Sequence, residues 1–466
     1  MYDFDLLIIG TGSGNSLLSE KFSSWNVAIV ERSLFGGTCL NAGCIPSKML
    51  VLPADRMREA SEASHRLNVE IDAVGVDWPS LRNRIFGRID PISAGGTLYR
   101  QGQDNVTVFL GDARFVGERS VSIELHDGSS RVVTAERIVI AAGAQPDVPD
   151  ISGLSETPFH TSDSIMRIEQ LPQQLIILGG GFIAAELGHV FSALGSAVTV
   201  VHRGPEMLRH SDSEISSRFT QYFSEQVDLR LNTKNLLVHH SEGVFELTMQ
   251  NADGLVSVVT GDALLVATGR TPNGAELQAE IAGVKLDSSG YVLTDSTLLT
   301  DAPGIWAIGD VRNPWQLKHL ANQEARVASH NLLNPDSPII IDQRVVPHAV
   351  FSHPQIGSVG LTEQDLRSRG QEYVAGSCEY ANVAYGWALE DTTSFAKILI
   401  DPTNLSILGA HILGPQAATL MQQLAQAMQF NIPADRLVSE QIWCHPALPE
   451  VIENALLNGL QLLDQR

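Results

Sequence analysis

The sequence predicts an α/β chain with two doubly wound units, followed by a mixed α+β unit at the carboxyl end. Three observations carry this. A strand, a glycine-rich turn, a helix and a second strand follow one another near the amino end, and the same order returns around Gly179 and Gly181. At 466 residues the chain exceeds what one hydrophobic core supports, so two to four domains are expected. Beyond residue 344 the pattern changes to paired strands and an amphipathic helix.

Composition narrows the class. Hydrophobic residues make up 44% of the chain and charged residues 18%, as in a globular protein. The 31 Lys+Arg against 53 Asp+Glu leave a formal charge of −22, which disfavours nucleic acid and anionic membrane as partners. Asp3 and Asp5 stand where a signal peptide would carry positive charge, and no apolar run approaches the ~18 residues of a membrane span. A cytoplasmic setting is expected.

In the first unit, "FDLLIIGTGSGN" reads as a strand from Phe4 to Ile9, then Gly10 and Gly12, then a helix. "NVAIVE" supplies the second strand and ends in Glu31, placed to bond a ribose hydroxyl. The third position of the fingerprint is Asn15 rather than Gly or Ala. A glycine-rich turn alone could be an ordinary βα connection, but strand, turn, helix, strand and acid together point to a Rossmann-like dinucleotide site.

The second unit, "QQLIILGGGFIAAELGHVFSALGSAVTVVHRG", has Gly179, Gly181 and Ala184, a helix to about Leu194 and a further strand. His202 occupies the ribose-reading position, followed by Arg203 and then Arg209. Without an acid a free 2′-hydroxyl loses its partner, whereas two guanidiniums suit a 2′-phosphate. FAD in the first unit and NADPH in the second follow as the expected cofactors; no metal site is expected.

The expected domains are FAD-binding over 1–149, NADPH-binding over 150–270, a central segment over 271–343 that completes the FAD site, and a dimer interface over 344–466. In the last, "FAKILIDPTNLSILGAHIL" reads as two strands joined by a Pro-Thr-Asn turn and "PQAATLMQQLAQAMQF" as an amphipathic helix. In the central segment Asn313 and Pro314 signal a helix starting between Pro314 and Lys318.

Four cysteines occur, and two of them, Cys39 and Cys44, lie five apart in "GGTCLNAGCIPSK". The spacing suits neither a zinc knuckle nor a thioredoxin motif. In a regular helix residues five apart have Cα atoms roughly 8.6 Å apart, and a disulfide needs about 4.4–6.8 Å. Asn41, Ala42 and Gly43 must turn more tightly than a helix if the two cysteines are to bridge.

That stretch resembles the redox-disulfide motif of the FAD-dependent pyridine-nucleotide disulfide reductases. "VIAAGAQP", "LLVATGRTPN", "GIWAIGDV", "VFSHPQIGSVGLTE" and "HPALPE" follow in the family's order, so the resemblance spans nearly the whole chain. It implies that Cys44 lies against the flavin as a charge-transfer thiolate and that Cys39 is the interchange thiol. Lys48 would sit near flavin N5, paired with Glu186, and Phe182 would take the place of the tyrosine that gates the nicotinamide. His445, oriented by Glu450, would be the general acid/base and reach the disulfide of the other subunit, so the active site is shared within a homodimer. Asp310 would bond the ribityl chain, with Ser13, Gly14, Thr38, Ala113 and Lys318 also on the flavin, and Ile183 and Gly269 on the nicotinamide dinucleotide. Cys444 is expected to be buried and inert, and nothing points to chemistry at Cys378.

The resemblance implies a small disulfide as substrate. Dihydrolipoamide dehydrogenase shares the motif but normally uses NAD, and mercuric reductase carries an extra carboxyl-terminal cysteine pair that this chain lacks. Glutathione reductase places an arginine for a substrate carboxylate where Glu20 stands, although Arg326 matches another of its substrate-side arginines. "IIGTGSGNS", "FGRIDPI", "FHTSDSIMRI", "AELGHVFSALG" and "VAYGWALEDT" resemble the branch that acts on the disulfide of a cysteinyl-glucosaminyl-inositol, which has no carboxylates for Glu20 to repel. A redox-sensing flavoprotein is the alternative of another class; the joint presence of Lys48, Glu186, His445 and Glu450 weighs against it.

Overall fold

A computed structural model of the chain describes residues 2–71 and 75–465. The largely apolar run Phe4–Ile9 forms the central strand of a parallel sheet, flanked by Val27–Glu31 on one side and Ser130–Ile140 on the other. Val106–Gly117 adds to the first edge and Ile305–Ala307 to the second, both in parallel. Residues of the central segment therefore complete the first sheet. Leu6, Leu7 and Ile8 are fully buried, as both faces of a parallel sheet require.

The helix expected after Gly12 is not continuous. Two short 3₁₀ turns, Gly14–Leu17 and Glu20–Phe22, take its place, with Ser19 extended between them. The Asn15 carbonyl, which would accept from Ser19 in an α-helix, accepts instead from the Arg100 guanidinium at 2.8 Å, and Asn15 Oδ1 accepts a second bond at 2.7 Å. Ser13, Asn15, Ser16 and Ser19 are also weak helix formers.

Helix α1 (Gly37–Asn41) ends at Ala42, and Gly43 leads into α2 (Cys44–Leu67). Helix α3 (Trp78–Gln101) follows, capped by Asp77, whose side chain accepts from the Ser80 amide. The second parallel sheet runs in the order 263–266, 174–178, 197–201, 228–230. Its first turn leads into α4 (Phe182–Ala193), as expected. Helix α5 (Ser213–Ser224) is capped by Asp212. Helix α6 (Lys318–Leu333) starts at the expected place.

The carboxyl-terminal unit is a five-stranded antiparallel sheet in which Phe395–Ile400 pairs with Ile407–Leu413, covered by helices Ala417–Gln429 and Pro449–Asp464. One apolar core crosses the units: Leu50 and Val51 of α2, Ile85 and Ile89 of α3, Ala184 and Phe191 of α4, and Phe395 and Leu413 of the last sheet belong to a single cluster.

A buried cation bolts the last unit to the second sheet. Lys397 is 2% exposed, and its ammonium bonds Asp212, Glu363 (3.0 Å) and Glu214 (3.3 Å). Burial works against the charge, but these carboxylates outweigh it and hold the lysine protonated. Lys397→Met leaves Asp212 and Glu363 uncompensated, so a loss of about 3–5 kcal/mol is expected. Denaturant unfolding of the variant, followed by near-UV circular dichroism, measures it.

Candidate active site

Two glycine turns set opposite walls of one cavity. Gly10 has φ +102°, and a Cβ there would lie 2.3 Å from the Ala141 carbonyl oxygen. Gly179 repeats this, with φ +133° and the Ala267 carbonyl at 2.2 Å. Only glycine fits where strand ends approach so closely. At Gly12 and Gly181, by contrast, a Cβ would meet nothing closer than 4.0 Å, which leaves the backbone open to a phosphate. The two turns line a continuous cavity of about 1670 Å³, beyond the ~300–1,000 Å³ of a single small-molecule site. Its size and paired turns fit two dinucleotides.

On the first turn, Ser13 lines the cavity, whereas Gly14 does not. A Cβ at Gly14 would meet Ala141 and Ile8 within 3.0 Å, so this glycine seats the loop on the sheet. Glu31 is buried and committed: Oε2 accepts from the Thr11 amide at 2.9 Å and Oε1 from the Ser33 amide at 2.9 Å. It still faces the cavity, as do Thr38 and Ala113. On the second turn, Phe182, Ile183, Arg203, Arg209 and Gly269 line the wall. His202 lies there too; burial, then Arg209 and Arg203, hold its imidazole below the usual range.

The cysteines stand where α1 breaks into α2, on the cavity wall. Cys39 and Cys44 are free thiols. The two thiols influence each other: Cys44, with burial, pushes the Cys39 thiol up. Cys39, helped by the Lys48 ammonium and opposed by burial, pulls Cys44 down. Cys44 is therefore the readier of the two to carry negative charge.

One helical turn beyond Cys44, Lys48 Nζ meets Glu186 Oε2 of α4 at 2.5 Å. The Phe351 amide donates to Glu186 Oε1 at 2.9 Å, and the Phe351 ring lies under Lys48 at 4.6 Å. Further along the same helices, Asp55 accepts from His189 at 2.8 Å and Arg58 donates to Ser192 at 3.2 Å. Asp310 and Lys318 also line the cavity. Burial pushes Asp310 up, opposed by Arg270 and Lys318.

His445 and Glu450 lie away from this cavity within one chain. His445 Nδ1 is 2.8 Å from Glu450 Oε1, and the bond holds the Glu450 carboxyl below its usual range. The imidazole is 70% exposed, so it is presented outward. Cys444 corrects the expectation of burial: it is exposed, because the Gln441–His445 segment leaves helix 434–440 and crosses the surface. Cys378 is buried, and burial raises its thiol to about 11. Glu20 is exposed and off the cavity wall, and Arg326 bonds Gln323 on the surface. Neither touches the cavity of its own chain.

Sequence reasoning missed Arg270, whose guanidinium is buried at the cavity wall and donates to the Ala144 carbonyl. Its signal was the arginine within "ATGRTPN". Thr11, the partner of Glu31, carried no signal beyond being the variable residue of a glycine turn.

Residues 4–325 match the family described as pyridine nucleotide-disulphide oxidoreductase. The chain belongs to this family. Residues 346–456 match the dimerisation domain of the same oxidoreductases. Among relatives, mycothione reductase of Mycobacterium tuberculosis is 45% identical over 462 residues, covering 98% of this chain and 99% of the relative. Mitochondrial dihydrolipoyl dehydrogenase 1 of Arabidopsis thaliana is 30% identical over 97% of this chain and 90% of its own length. The solved structure of the HOCl-induced flavoprotein disulfide reductase RclA from Escherichia coli superposes with TM-score 0.83 at 28% identity, covering 98% of this chain and 99% of that one. A pyridine nucleotide-disulphide oxidoreductase of this kind uses FAD and NADPH. Among the described residues no helix is long and apolar enough to cross a membrane.

Gly181→Val places a side chain in open cavity space, so fold stability and bound flavin should be retained. The KM for NADPH should rise by about tenfold or more as the dinucleotide loses its close backbone approach. Steady-state kinetics beside a thermal melt separates the two effects.

Proposed function

We propose that this oxidoreductase reduces the disulfide of a low-molecular-weight thiol in the cytoplasm, mycothione to two mycothiols, with NADPH as the electron donor. The single observation behind the reading is the polarised Cys39–Cys44 pair. It opens the same cavity as the Lys48–Glu186 ion pair and both phosphate-cradling turns. Full-length similarity to mycothione reductase supports the choice of substrate. The units would divide the work as 1–149 for FAD, 150–270 for NADPH, 271–343 completing the flavin site and 344–466 joining two copies.

FAD and NADPH, when bound, supply the hydride and the two electrons that keep the cysteines as a dithiol. The Lys48 ammonium, held by Glu186, neutralises charge beside Cys44. Glu31 and Asp310 would hold sugar hydroxyls of the flavin cofactor, and Arg203 and Arg209 the 2′-phosphate of the other dinucleotide.

Cys39 holds its proton, so it needs a base before it can attack. The partner subunit's His445 fits that need: its bond to Glu450 fixes one ring nitrogen and leaves the other for proton exchange. The Cys39 thiolate attacks one sulfur of the substrate, breaking its S–S bond. The departing thiolate takes the proton from the imidazolium. The Cys44 thiolate then attacks Cys39 Sγ, closing the Cys39–Cys44 disulfide and releasing the second thiolate, which takes its proton from solvent. Two electrons pass from the dithiol to the substrate.

NADPH oxidation by the flavin-loaded protein should be fast with mycothiol disulfide and slow with glutathione disulfide or lipoamide. Preference for either of the others overturns the substrate assignment. Cys39→Ser should keep flavin reduction by NADPH and lose disulfide turnover. His445→Gln should lower turnover by about 10²–10⁴-fold, with the flavin half-reaction unaffected in stopped flow.

A further inference from the structure

The two glycine turns open onto unequal helices. Behind Gly181 stands α4, twelve unbroken residues whose aligned peptides direct partial positive charge at the turn. Behind Gly12 stands only the 3₁₀ turn Gly14–Leu17, four residues long. So short a run sums few peptide dipoles, and extended Ser19 stops it from growing. A dinucleotide pyrophosphate at the first turn therefore lacks most of the helix field that the second turn provides.

A cation takes over where the helix stops. Arg100, in the last turn of α3, is 7% exposed. Its Nε donates to Asn15 Oδ1 at 2.7 Å, one terminal nitrogen to the Asn15 carbonyl at 2.8 Å, and the other to Gln103 Oε1 at 2.8 Å. All three acceptors are neutral, and among the described residues no carboxylate pairs with Arg100. The carboxyl end of α3 offsets roughly half a unit of its charge, and the remainder faces the turn. By bonding the Asn15 carbonyl, the guanidinium covers the negative pole of the 3₁₀ turn and leaves the positive pole at Ser13 unopposed. Ser13 lines the cavity, and Lys318 Nζ meets its Oγ at 3.1 Å. Asn15 and Arg100 lie off the cavity wall, behind the turn.

We propose that Arg100 supplies, from behind the first turn, the positive charge that a long helix would otherwise direct at the pyrophosphate of FAD. It is a positioning residue: it fixes the Asn15 carbonyl and acts on the cofactor through the turn. The inference rests on the placement of FAD in the first unit.

The test follows release of FAD from the flavin-loaded protein on dilution, read as the rise in flavin fluorescence, beside a thermal melt. Arg100→Gln removes the charge and should speed release by about tenfold or more. Arg100→Lys keeps the charge without the fork and should stay within about threefold of the unmodified protein. Gln103→Glu leaves Arg100 and its bonds in place but gives the guanidinium a counter-ion, so release should again quicken, by about fivefold. A purely structural role predicts no loss in that variant, since the new ion pair strengthens the bond. An unchanged rate in Arg100→Gln or Gln103→Glu overturns the inference, as does Arg100→Lys releasing as fast as Arg100→Gln. Should Arg100→Gln fail to fold, Gln103→Glu decides alone. Gly12→Val fills the open space of the first turn; if it holds FAD as tightly as the unmodified protein, the placement of FAD itself fails instead.

Discussion

The ion pair between Lys48 and Glu186 is the contact on which the cavity depends. Cys44 and Lys48 lie four apart on α2, hence on one helical face, and Phe182 and Glu186 do the same on α4. Joining the two helices at this pair places the cysteines opposite the second glycine turn. Glu186 also takes the Phe351 amide from the last unit, so three parts of the chain converge on one carboxylate. Below it, the Asp55–His189 and Arg58–Ser192 bonds keep α2 and α4 in register. A charge-assisted pair in a partly desolvated site fixes geometry better than an apolar contact, which can slide.

The cavity is far less acidic than the chain around it. The chain carries −22 overall, but on the cavity wall Lys48, Arg203, Arg209, Arg270 and Lys318 stand among acids such as Glu31, Glu186 and Asp310, so the charges there nearly balance. A nearly neutral wall accepts anionic dinucleotides where the acidic exterior disfavours polyanions.

Much of this was legible in the chain. The glycines of both turns announce themselves because a Cβ at Gly10 or Gly179 has nowhere to go, and the strands because both faces are apolar. The α6 start was readable from Asn313 and Pro314. What escaped depended on residues remote in sequence. The break after Gly14 is set by Arg100 reaching back to the Asn15 carbonyl, a competition no local propensity contains. The exposure of Cys444 follows from how the Gln441–His445 segment leaves its helix, and composition alone predicts burial for a cysteine. The exclusion built on Glu20, against which Arg326 weighed, used likeness to known positions, and the distance of both residues from the cavity of the same chain had no sequence signature.

The closing of the first sheet by Ile305–Ala307 bears on how the chain is made. Ile138, Val139 and Ile140 are fully buried in the finished protein, yet the strand that covers their edge is synthesised only after the entire second sheet. At ~5–20 residues per second the nascent chain carries an open, apolar strand edge for on the order of ten seconds. Such an edge is a template for pairing with other chains. Until Ile305–Ala307 emerges, this edge of the nascent chain is therefore open to mispairing.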